Sequence, residues 1–154
     1  MAFHFALLTI LRLRESLEKQ ELQRLQKLVA DLAQIRAEIE SVDQRIEAAR
    51  REVVEQVSTG ISGAELHAAA LSEFALLQLR ANLIAKREEL ERARKDQQAR
   101  YNHARQCREI LSNLRDRQLA AYQHEQNRRE QRLTDELFLM RRSHRKRAEP
   151  VSSS

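Results

Sequence analysis

The chain has 154 residues, a formal net charge of +5 and a pI near 9.9, with 33% charged and only 4% aromatic residues. Two Gly, one Pro and no Trp exclude a compact, aromatic-rich core threaded by many turns, whereas abundant Ala, Glu, Gln, Leu, Arg and Lys fit long solvated helices. Apolar residues recur at regular spacing, which argues against the disorder that such a charge content would otherwise imply.

In chain order, the first apolar run is Phe5-Ala-Leu-Leu-Thr-Ile-Leu11. It is short, has no basic residue ahead of it and is interrupted by Arg12 and Arg14, so neither a signal peptide nor a membrane span is expected. The first helix is predicted over about 5–57. Between Leu25 and Val53, nine apolar residues repeat at spacings of three and four: Leu25, Leu28, Leu32, Ile35, Ile39, Val42, Ile46, Ala49 and Val53. That average of 3.5 places them on one narrow stripe, which needs a partner helix to bury it. Before Leu25 the pattern slips: Phe3, Leu7, Ile10 and Leu17 follow an offset register, and Glu18 and Glu21 stand where apolar residues are expected. Looser packing is predicted there.

The chain's two glycines, Gly60 and Gly63, fall in Ser-Thr-Gly-Ile-Ser-Gly-Ala over residues 58–64, which is predicted to reverse the chain. Ser62 and Glu65 have the spacing of a capping box and would start the second helix. This helix is predicted over about 65–145, with Leu83, Leu90, Gln97, Ala104 and Leu111 at heptad spacing, flanked by Leu76, Ile84, Ala93, Cys107 and Leu114. If the turn centres near residue 61, paired residues have numbers adding to about 122. Ile39 then meets Leu83, Leu32 meets Leu90, Leu25 meets Gln97 and Leu11 meets Leu111. The fold class is therefore all-α, a long two-helix antiparallel coiled-coil hairpin over residues 1–147, with a disordered tail over 148–154. A first helix of roughly 50 residues would give a paired rod on the order of 75 Å.

Residues beyond about 120 would have no partner left in the first helix. They carry a second apolar cluster, Leu133, Leu137, Phe138 and Met140, followed by Arg141, Arg142, Arg145, Lys146 and Arg147. These five basic residues account for the whole net charge of +5, since the chain has 28 basic and 23 acidic residues in total. The helices themselves are balanced, with favourably ordered pairs such as Glu47/Arg51, Glu88/Arg92 and Glu91/Lys95. Pro150 and the serines after it read as a frayed end.

The sequence offers little for catalysis. His4, His67, His103, His124 and His144 are dispersed without metal-ligand spacing. There is no glycine-rich phosphate loop and no nucleophile elbow, and the carboxylates fall on helix faces where their pKa values are hard to tune. No cofactor, metal site or enzymatic activity is expected. Tyr101 and Tyr122 stand apart and make no stacking platform, so nucleic acid is not expected as a partner. The lone Cys107 excludes an internal disulfide framework and fits a reducing cytoplasm; its place on the second helix reads as a small core residue.

Three segments together resemble the flagellar export protein FliJ family. They are Phe5-Ala-Leu-Leu-Thr-Ile-Leu-Arg-Leu-Arg14 with Glu15 and Glu18, the turn Gly60-Ile-Ser-Gly-Ala-Glu-Leu66, and Glu130-Gln-Arg-Leu-Thr-Asp-Glu136. Length, turn position and the order of these elements agree over essentially the whole chain. A departure is Leu66-His-Ala-Ala-Ala-Leu71, alanine-rich where the family more often has aromatics. The resemblance implies a non-enzymatic stalk-like component of the flagellar type III export apparatus, similar to the central stalk of rotary ATPases. It implies contact with the hexameric export ATPase at the end bearing Phe3, Phe5, Leu7, Leu133, Leu137, Phe138, Met140, Arg141 and Arg142. It also implies contact with the membrane export gate at the opposite end, near Leu66, Leu71 and Phe74, and export chaperones as further partners. The protein would be monomeric when free, cytoplasmic, and peripheral at the inner membrane when assembled. Two alternatives are the equivalent stalk of a virulence secretion system and a coiled-coil scaffold that pairs between chains.

Overall fold

The computed structural model describes residues 2–148; beyond Ala148, the tail expected from the sequence lies outside them. The chain forms two helices, α1 over Leu8–Thr59 and α2 over Gly63–Ala148, joined by a short turn as an all-α hairpin. The described residues before Leu8 are not helical, so α1 begins three residues later than Phe5. By packing, the chain divides into two compact units. One is the turn unit, residues 14–106; the other, the terminal unit, combines the chain up to Leu13 with the chain from Cys107 onward.

In the turn unit, α1 supplies the buried face. Leu25, Leu32, Ile35, Ile39, Val42 and Ile46 are buried, and Leu28, Ala49 and Val53 are half-buried. Each buried aliphatic side chain contributes about 1.5–3 kcal/mol of transfer free energy relative to exposure. The antiparallel register follows from polar pairs that cross between the helices: Arg80 Nε donates to Asp43 at 2.5 Å, Arg50 Nε to Glu73 at 2.6 Å, and Arg36 to Glu91 at 3.4 Å. The partners' numbers add to 123, 123 and 127, within about one helical turn of the expected 122.

The facing seam of α2 differs from what heptad spacing of apolar residues alone predicts. Leu76, Leu83, Leu90, Gln97 and Ala104 alternate with Arg80, Arg87, Arg94 and Tyr101, and all of these are half-buried except Gln97, which is buried. Three of these four alternate seam positions are thus arginines, and the fourth is Tyr101. A half-buried arginine can place its methylenes against apolar surface while its guanidinium group seeks a polar partner or solvent. Arg80 finds Asp43 in this way; at Arg87, Nε is buried without a hydrogen-bond partner.

Glu21 and Gln97, both polar residues on a seam, satisfy each other. The Gln97 side-chain amide donates to the Glu21 backbone carbonyl at 3.1 Å and to the Glu21 carboxylate. Gln97 therefore bonds one turn before Leu25, the residue expected opposite it. A buried amide needs acceptors, and Glu21 supplies two.

The turn is fixed by local chemistry. Gly60 sits at φ 93°, a left-handed conformation that closes α1. Ser62 and Glu65 form the reciprocal capping box: the Glu65 N–H donates to Ser62 Oγ at 3.2 Å, and the Ser62 N–H donates to the Glu65 carboxylate at 3.0 Å. Those bonds from Ser62 hold the Glu65 carboxyl below the usual glutamate range.

Candidate partner-binding surfaces

In the terminal unit the two ends of the chain behave differently. Phe5 and Leu11 are buried, and Phe3 and Leu7 are half-buried. The Phe3 ring lies 5.7 Å from that of Tyr122, tilted by 50°, within the range of favourable aromatic pairs. Phe3, Phe5 and Leu7, expected at the end that meets the ATPase, are thus largely covered within the chain, and Tyr122, expected to stand apart, has Phe3 beside it. The segment before Leu8 is not bound to the helical register of α1, so its aromatic side chains are free to turn inward. The Leu8 N–H bonded to the Phe5 carbonyl at 3.1 Å fixes that turn.

The other end of the unit is bare. From Asn127 to Ala148 every residue of α2 is exposed. Leu133, Leu137, Phe138 and Met140 are 56–64% exposed, as is Leu139, which the sequence reading left out. Positions 133, 137 and 140 share one helix face, and 138 and 139 widen it to a broad apolar band. This stretch keeps its helix through local interactions: Glu125 bridges Arg129 at 3.2 Å, Thr134 Oγ1 donates to the Glu130 carbonyl at 2.9 Å, and Arg145, Lys146 and Arg147 occupy the last turn, favourable at a helix C-terminus. Arg141 and Arg142 are exposed directly after the apolar band.

In the turn unit, Leu66, Leu71 and Phe74 are exposed, and Val54, Val57 and Leu77 add to the exposed apolar surface. The sequence signal for Val54 and Val57 was available, since they fall beside and beyond Val53 where the buried stripe of α1 runs out. A separate cleft of about 460 Å3 opens beside Leu17, lined by Arg14, Leu17, Glu21, Ala99, Arg100, His103 and Ala104. It occupies the stretch where the sequence predicted looser packing. Cys107, expected as a core residue, is half-buried.

Among the described residues no group of His, Cys, Asp and Glu could hold a metal ion, and no helix is long and apolar enough to cross a membrane. The features that remain are apolar helix faces bordered by charge, which suit contact with other proteins.

A family model described as Flagellar FliJ protein matches residues 3–148. The chain belongs to the FliJ family. No curated protein and no solved structure matches it. Family membership makes this a flagellar export-related protein. The match takes in both helices, the turn and all of the exposed segment from Asn127 to Ala148.

Proposed function

We propose that this FliJ-family chain is a stalk component of the flagellar export apparatus that binds the export ATPase ring and assists export without doing chemistry itself. The observation that carries this reading is the uncovered apolar band of Leu133, Leu137, Phe138, Leu139 and Met140, followed at once by Arg141 and Arg142. Such a helix end suits the central opening of a ring, where apolar side chains meet a collar and guanidinium groups meet acidic loops. Phe3, Phe5 and Leu7 support this end by packing within the terminal unit, and the contact itself falls to the band and the two arginines. The turn-proximal Leu66, Leu71 and Phe74 are the proposed contact for the membrane export gate, with export chaperones as further partners. In this reading the protein is monomeric when free, and peripheral at the cytoplasmic face of the inner membrane once assembled.

The test is the ATPase rate of the cognate hexamer with and without the purified protein. Wild type should raise the rate, and L137E combined with F138E should abolish the increase while helicity is unchanged. A wild type that neither binds the ATPase nor changes its rate would overturn the stalk assignment.

A further inference from the structure

The cleft in the turn unit is not used by the contacts proposed above. Its apolar wall is Leu17 on α1 with Ala99 and Ala104 on α2. Ala104 holds a seam position that carries leucine at residues 76, 83 and 90, so the gap arises from a small side chain where a large one would close it. A volume of about 460 Å3 lies within the range of sites that take organic groups. It accommodates more than one side chain of leucine size.

The charge at its rim is one-sided. Arg14 and Arg100 line the cleft, and neither makes an ion pair among the described residues. The one lining carboxylate, Glu21, is already engaged by Arg24 at 2.9 Å and by the Gln97 amide. An incoming group therefore meets apolar side chains and two arginines, with the Glu21 charge already paired to Arg24. The groove also runs between two antiparallel helices, a geometry into which a third helix inserts its side chains.

We propose that this cleft is a docking site for an acidic amphipathic helix of a partner protein, whose apolar side chains fill the space beside Ala104 while flanking carboxylates pair with Arg14 and Arg100. The probe is a fluorescein-labelled helical peptide of leucine, alanine and glutamate, titrated with the full chain and followed by fluorescence anisotropy, with its lysine counterpart as control. Saturable binding of the glutamate peptide alone is expected. Affinity should fall at least about tenfold, or about 1.4 kcal/mol, in A104L, which closes the cleft without changing charge, and likewise in R14E with R100E. Circular dichroism confirms that both variants remain helical. No binding, equal binding of the two peptides, or affinity unchanged in the variants would overturn the proposal. So would sedimentation in which the chain alone self-associates and A104L returns it to monomer, because the cleft would then belong to a second copy.

Discussion

Residues 25–46 of α1 and residues 133–140 of α2 carry similar apolar side chains at helical spacing, with opposite outcomes. Six aliphatics of the first are at most 8% exposed, whereas the five large apolar residues of the second are at least 56% exposed. Amphipathic spacing states that a face needs covering; it does not state what covers it. For the α1 stripe the cover is α2 of the same chain. For the band at 133–140 the described residues provide none, so its apolar area adds little to folding.

The contrast can be broken most sharply at Ile39. I39A should lower stability by about 2–5 kcal/mol, the usual result of truncating a buried isoleucine, and I39D should do more harm by burying an unpaired charge. L137A, a similar truncation on the exposed band, should stay within about 0.5 kcal/mol. Chemical denaturation of the three variants followed by circular dichroism checks both sides. Comparable losses at 39 and 137 would mean that the band is covered within the chain.

A smaller effect of opposite sign is expected at Arg87. The side chain is half-buried on the α2 seam and its Nε is buried without a partner, a situation that costs about 1–3 kcal/mol. R87M keeps the stem and removes the orphaned donor, so it should raise stability by about 1 kcal/mol in the same denaturation assay.

The turn contributes least. S62A should cost about 1 kcal/mol, as expected for loss of an N-cap. The Glu65 carboxyl is held below its ordinary pKa by the bonds from Ser62. Its stabilising contribution is therefore complete above the unfolded-state pKa and is lost as pH falls through the lower folded-state value. Because E65Q retains a capping residue without the titration, its melting temperature should fall less on acidification than that of wild type. An equal fall would remove Glu65 from the acid response.

The α1 stripe was legible residue by residue because aliphatic side chains at 3,4 spacing have one dominant use, and Ser62 with Glu65 was legible because a capping box is local. The α2 seam was only half legible. Arg80, Arg87 and Arg94 count as polar in any hydropathy pattern, yet all three are half-buried, as long side chains with apolar stems can be. The burial of Phe3 and Phe5 is not legible because they precede α1, where helical register no longer assigns a face and a distant contact such as Tyr122 decides. The apolar band itself was visible as a cluster. Its exposure was legible as well, because residues beyond about 120 have no partner left in the first helix, and Leu133, Leu137, Phe138 and Met140 are exposed.

The most direct test of the central claim is hydrogen exchange of the full chain with and without the cognate export ATPase hexamer. Because backbone amides from Asn127 onward lie in a helix with no packed face, they should exchange quickly in the free protein. Binding of the hexamer should slow exchange across 130–142 while leaving residues 25–46 unchanged. Unaltered exchange over 130–142 at saturating hexamer would contradict the assignment of this band as the ATPase contact.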